Sequence, residues 1–272
     1  MKKILSVLMA LGMAFSLAAC AGSTSSSSEA SSTEPEATPA AESEAATSEA
    51  AASGTVLSHE EYVAAANETE VTIEAYVQAK QIWNQEESTT SLYLQDQDGA
   101  YFVYGVACSQ EDYDKLTEGT CIRVTGFKSE WSGEVEIADA TFEFVDGADT
   151  FVAEPLDVTD LLGTDELIDH QNELVTFKGM TVEPSTVEGS DEEYAYLYGW
   201  DGSGTEGDDL YFNVSYNGQT YNFTVESDLC DSTTDVYSAV KNLEVGQTID
   251  LEGFLYWYEG ANPHITSVTV AG

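Results

Sequence analysis

Aromatic side chains are the residues of this chain best placed to do chemistry, and the chemistry open to them is stacking. Tyr93 and Trp131 fall in the first half and Tyr198, Trp200 and Trp257 in the second. Tyr194-Ala-Tyr196-Leu-Tyr198-Gly-Trp200 places an aromatic at every other position. If Ala195, Leu197 and Gly199 face inward, the rings form an outward row. Such a row is a platform for a sugar ring or a peptide; covered by a neighbouring element, it is core. Tyr256-Trp257-Tyr258 admits the same two readings. Just after Trp200, the carboxylates of Asp201, Glu206, Asp208 and Asp209 could converge on Ca2+. Their spacing is not that of an EF-hand loop, so the site would be weak and of the extracellular, millimolar kind. No other cofactor is expected.

Catalysis finds no comparable constellation. His59, His170 and His264 are scattered without metal-ligand spacing, and no serine sits in a nucleophile elbow. Gly202-Ser-Gly204-Thr-Glu-Gly207 spells a dinucleotide fingerprint, but no helix follows, and Glu206, Asp208 and Asp209 would repel a pyrophosphate. The chain is expected not to be an enzyme.

Charge narrows the partners. The 272 residues carry 50 acids against eight bases, a net charge of −42. From residue 54 onward the bases are Lys80, Lys115, Arg123, Lys128, Lys178 and Lys241. Affinity for phosphates depends on neutralising them and releasing their counterions, so this composition disfavours nucleic acid. What cationic grip there is comes from Lys80, Arg123 and Lys128. A carbohydrate, a peptide or another envelope protein fits better. Cys108 and Cys121 flank a short predicted helix, and either a disulfide or two free thiols fits that spacing.

The first 53 residues look like delivery rather than fold. Lys2 and Lys3 precede an apolar run from Ile4 to Leu17, too short for a stable membrane span. Leu17-Ala18-Ala19-Cys20 resembles the bacterial lipobox. That resemblance implies a signal peptide over residues 1–19 and acylation of Cys20, and so a lipid anchor to the bacterial membrane, facing the extracytoplasmic side. Residues 20–53, rich in Ser, Ala and Glu and without a large apolar side chain, read as a disordered tether.

The remaining chain divides into residues 54–150 and 151–272 on the strength of a repeat. Leu116-Thr-Glu-Gly119-Thr-Cys-Ile122-Arg-Val124-Thr-Gly126-Phe127 returns as Leu243-Glu-Val-Gly246-Gln-Thr-Ile249-Asp-Leu251-Glu-Gly253-Phe254. Each copy reads as a helix end, a glycine turn and a strand that closes on a second glycine. Ser58 and Glu61 form a capping-box pattern ahead of a first helix, and Asp98-Gly99 between alternating runs marks a hairpin. In the second half, Leu197-Tyr198 aligns with Leu92-Tyr93 and Asp201 with Asp96. Asn217-Gly218 then reads as an added hairpin without a counterpart in the first half.

This order resembles the OB fold, a five-strand Greek-key barrel with short helices. The fold class expected is mainly β, with two tandem OB-like barrels. Leu92-Tyr-Leu94-Gln-Asp96-Gln-Asp98-Gly99, followed by the repeat, is most similar to nucleic-acid-binding OB families, including domains of secreted bacterial nucleases. The resemblance covers residues 71–145 and 174–270 and concerns scaffold positions, so it implies a fold without a function. The function expected is a non-catalytic binding or assembly module. Its rivals are binding of single-stranded nucleic acid and a weak response to Ca2+.

Overall fold

A computed structural model describes residues 54–271; the expected signal peptide, the expected acylation at Cys20 and the expected tether lie outside them. The first half runs α1 (His59–Ala64), β1 (Glu70–Lys80), β2 (Thr89–Gln95), β3 (Ala100–Ala107), α2 (Gln110–Lys115), β4 (Cys121–Trp131) and β5 (Glu134–Phe144). The second has short β6 (Leu156–Asp157), then β7 (Leu174–Glu183), followed by β8 (Ser185–Thr186), β9 (Glu193–Tyr194) and β10 (Leu197–Tyr198). It continues with β11 (Leu210–Tyr216), β12 (Gln219–Val225), α3 (Asp235–Lys241), β13 (Thr248–Phe254) and β14 (His264–Val270).

The first five strands close into a barrel in the order β1-β2-β3-β5-β4. The β3–β5 seam is parallel, through Phe102 opposite Glu136 and Val103 opposite Ile137. The second half closes the same ring. β7 pairs with β11 and β13, β11 with β12, β12 in parallel with β14, and β14 with β13. β6 and β10 merely extend this sheet at its margins. Two tandem OB-like barrels are therefore present, with β7, β11, β12, β13 and β14 in the places of β1, β2, β3, β4 and β5.

Period-two alternation decides which residues fill each barrel. On β4, Ile122, Val124 and Gly126 are buried while Arg123, Thr125 and Phe127 are not. On β13, Ile249, Leu251 and Gly253 take the same positions. Tyr62 of α1 adds to the first core, and Val236, Tyr237 and Val240 of α3 to the second. The Ser58–Glu61 capping box is formed. The other end of α1 is held by Lys128, whose buried ammonium donates to the carbonyls of Tyr62, Val63 and Ala65 at 2.8–3.0 Å. Carbonyls in the last turn of a helix run short of backbone donors, and a cation suits that end of it.

The sequence alignment of the second half needs correction. The Tyr216-Asn217-Gly218-Gln219 turn joins β11 to β12, so it is the counterpart of the Gln95–Ala100 turn and not an addition. Phe212-Asn213-Val214 therefore stands where Leu92-Tyr93-Leu94 does, and the inserted residues fall together at 184–209, between β7 and β11. The alternation in residues 194–200 fitted a core strand equally well because β10 is itself a short, half-buried strand. Glu134–Phe144 form one strand, β5, with a register shift opposite Thr125 and Phe127.

Cys108, Cys121 and Cys230 are all free thiols. Burial pushes the thiols of Cys108 and Cys230 up to about 11, which keeps them protonated and inert. Thiol titration in denaturant is expected to count all three without prior reduction. A count that rises by two after reductant would reinstate the Cys108–Cys121 bridge.

Candidate aromatic groove between the barrels

The two barrels meet through the strand that carries Tyr93. Tyr93, Phe102 and Phe254 form a buried cluster, with Tyr93 stacked on Phe254 at 4.3 Å between centroids. The Tyr93 hydroxyl lies 2.9 Å from His264 Nδ1, and Tyr256 stacks on the same imidazole. Burial drives the His264 pKa down to about 3, so the ring stays neutral and the contact is an ordinary hydrogen bond. Around this cluster backbone N–H groups donate from one barrel to the other. Ile82 N donates to Asp228 O at 2.7 Å, Leu174 N to Gln95 Oε1 at 2.9 Å and Glu259 N to Ser132 O at 2.7 Å. Gln171 grips the β4–β5 turn twice, donating to Gly133 O and accepting from Val135 N.

Beside this seam runs an open groove of about 930 Å3 that both barrels line. Its rings are Tyr104 from β3, Trp131 from the end of β4, Trp200, Tyr211 from β11, and Tyr256 and Tyr258 after β13. Trp200 is 78 % exposed, Tyr104 59 %, Trp131 54 % and Tyr258 48 %. So many large rings left in water within one concavity make the groove the candidate binding surface. Trp131 and Tyr258 pack at 5.1 Å and thereby join the walls contributed by the two barrels. Tyr104 on β3, Tyr211 on β11 and Asn222 on β12 place the groove on the second- and third-strand face of each barrel, the face that OB folds use for oligomeric ligands.

Of the aromatic residues singled out in the sequence, four reach this groove. Trp131, Trp200, Tyr256 and Tyr258 line it. Tyr93 does not act as a platform, because Phe254 of the second barrel covers it completely. Trp257 turns into the second core, and its backbone N–H donates to Glu134 Oε2 at 2.9 Å. Tyr198 is half-buried on β10, edge-on to Tyr196 at 5.3 Å. The expected outward row breaks there, since Gly199 adopts a φ of +69° and only Trp200 emerges beyond it. Tyr104 and Tyr211 are groove rings that no motif in the sequence singled out. Tyr104 shares its strand face with buried Phe102, so alternation gave no signal for it, whereas Tyr211 does alternate with buried Leu210 and Phe212.

The four carboxylates proposed for Ca2+ do not form one site. Asp201 Oδ1 accepts from Ser203 N, Asp208 Oδ2 from Thr205 N, and Asp209 Oδ1 from Ser227. Glu206 pairs with Lys241 at 2.5 Å. Among the described residues, no three His, Cys, Asp or Glu side chains are grouped to hold a metal ion. Asp201 and Asp208 satisfy backbone N–H groups of their own turn, while Asp209 is held by Ser227 and Glu206 by Lys241, so each carboxylate is engaged with a different partner.

The cations are spent elsewhere. Arg123 pairs with Glu74 and Glu143, Lys115 with Glu111 and Asp112, and Lys178 with Asp157. Lys80 donates to Tyr113 O and Lys128 to the end of α1. None of these residues lines the groove. No family model matches the chain, and no curated protein does. Solved structures of similar shape include the Ifi202 HINa domain in complex with 20-bp dsDNA, at 17 % identity and TM-score 0.32, covering 75 % of this chain and 96 % of that one. The p204 HINb domain gives 10 % identity and TM-score 0.33, with 75 % and 98 % covered. A replication protein A heterotrimer bound to ssDNA gives 14 % and 0.31, with 76 % and 49 % covered. Likenesses this distant leave the barrel assignment resting on strand pairing alone.

Proposed function

We propose that this chain is a non-catalytic binding module that holds an extended partner by stacking in the aromatic groove between its barrels. On the lipobox reading it would do so outside the membrane, tethered through Cys20. One observation carries the proposal: four large rings from two separate barrels stand exposed in a single groove that contains no lysine or arginine. Rings give contact area at little cost in side-chain entropy, and their faces suit the apolar face of a sugar or the side chains of a peptide. Single-stranded nucleic acid is the rival, because bases stack on the same rings. Its backbone would meet carboxylates where it needs cations, so oligonucleotide affinity is expected to stay weak even at low salt.

Screening the mature chain against neutral oligosaccharides, extended peptides and oligo(dT) tests the idea. The Trp131→Ala/Trp200→Ala double variant is expected to melt within about 2 °C of the parent, because both rings are largely in solvent. The same variant should lose at least about tenfold in affinity for the ligand found. Tight, salt-sensitive binding of oligo(dT) would replace this reading with the nucleic-acid one. Unchanged binding in the double variant would remove the groove altogether.

A further inference from the structure

We propose that the groove takes a small organic cation, its ammonium or guanidinium group seated beside Trp200 and Tyr211 against the carboxylates of Asp209 and Glu226. This rests on the groove being the binding site, and it assigns the ligand's chemistry. Trp200, Asp209, Tyr211 and Glu226 line the groove at the end where it runs into a second, acidic hollow. That hollow adds Asp201, Asp208 and Asp228.

Charge complementarity is the argument. Glu226 has a neutral partner, the Gln81 amide at 3.0 Å, and Asp209 is held by the Ser227 backbone and hydroxyl. Every base among the described residues is engaged away from this end, as ion pair or carbonyl donor. The carboxylates are consequently crowded without a counter-charge from the chain. Burial, reinforced by Asp228 and Asp209, pushes the Glu226 carboxyl up to about 7. Burial and then Asp209 raise Asp228 as well. A positive group arriving from outside relieves that repulsion.

The rings decide what kind of positive group it is. An aromatic face carries negative quadrupole density, and a cation over it is attracted more strongly the less water it keeps. Hard inorganic cations demand a shell of oxygens, and no such ligand group exists among the described residues. An organic cation is weakly hydrated and carries an apolar body, so it uses the rings and the carboxylates together. The groove's 930 Å3 also falls within the roughly 300–1,000 Å3 typical of small-molecule sites.

Calorimetric titration of the mature chain with spermidine provides the test. Saturable binding is expected, weakened at least tenfold by Trp200→Ala and likewise by Glu226→Gln. It should be left intact by Asp146→Asn, an exposed acid away from the groove. Melting curves of each variant establish that it is folded. Absence of saturable binding overturns the inference. So does equal weakening by Asp146→Asn, or indifference to Trp200→Ala, since either would mean a diffuse counterion cloud drawn by the overall charge. A lysine-bearing peptide that binds where spermidine does not would shift the assignment from a small cation to a peptide. If a neutral oligosaccharide binds and the double tryptophan variant abolishes it while spermidine fails, the binding module stands and only the cation falls.

Discussion

Replacing Gly253 with alanine is expected to lower the melting temperature by roughly 6–12 °C, the fall that about 3 kcal/mol produces in a chain of this size. The added Cβ would sit 2.8 Å from Ile265 Cα and 2.9 Å from the His264 carbonyl carbon, both backbone of β14. Side chains can rotate away from an intruder; a paired strand cannot. β14 is fixed on one side by β13 and on the other by the parallel bridge from His264 to Thr224. His264 is further held by Tyr93 across the seam, so displacing it loosens the contact between the barrels. Gly246→Ala is the internal comparison. That glycine has φ +86° and open space around it, so alanine there costs only the left-handed backbone penalty of about 1–2 kcal/mol. Thermal melts of the two variants side by side decide the matter. Equal losses would mean that close approach at Gly253 is not the constraint.

Acidity should stabilise this protein, with the midpoint falling as pH rises from 6 to 9. Glu134 is completely buried where the β4–β5 turn meets the second barrel, and burial pushes its carboxyl up to about 8. A carboxyl whose folded pKa exceeds its unfolded value contributes stability that is complete below about 4.5. That contribution is lost as pH climbs through the folded value. One pKa unit is about 1.4 kcal/mol, so the rise from 4.5 to about 8 corresponds to a contribution on the order of 5 kcal/mol. Surface carboxylates finish ionising near pH 5, so a loss between pH 6 and 9 belongs to buried acids. Glu226, raised to about 7, adds to the same trend.

Hydrogen bonding explains why a proton belongs at Glu134. Its Oε2 accepts from Trp257 N, while Oε1 and the neighbouring Asn172 Oδ1 are both buried without a partner. Two acceptors cannot bond to each other. A proton on Oε1 lets it donate to Asn172 Oδ1 and satisfies both atoms. Glu134→Gln reproduces that arrangement permanently, with the amide donating in place of the acid. Calorimetric melts at pH 5, 7 and 9 should find the variant close to wild type at pH 5 and clearly more stable at pH 9. A wild-type midpoint that is flat over this range, or a variant with the parent's slope, would contradict the protonated state.

These two predictions draw on different amounts of sequence information. Gly126 and Gly253 recur at the same place in the repeat, as do Gly119 and Gly246, and the repeat alone marked all four as special. Coordinates separate their duties. Gly119 and Gly246 turn the chain with φ of +80° and +86°. Gly126 and Gly253 let β4 and β13 pass close to their neighbours. Glu134, by contrast, looked like one more acid in an acidic chain. Nothing local distinguishes it from Glu130 or Glu143, because its burial is made by the second barrel.

Local patterning thus determined what local forces control. Alternation filled each barrel, the Ser58–Glu61 box started α1, glycine turns closed the hairpins, and the repeat established that the barrel occurs twice. Register between distant strands was less legible: residues 197–198 and 210–212 carry similar patterns, and only pairing with β7 shows that Phe212-Asn213-Val214 occupies the second-strand place. Tertiary structure alone decided the groove, since the docking of one barrel on the other buried Tyr93 and brought Tyr104 and Trp131 alongside Trp200 and Tyr258. The physical reason is that exposure belongs to no residue type. A ring becomes core or binding surface according to what the rest of the chain lays against it, and at this seam the covering residues come from more than a hundred positions away.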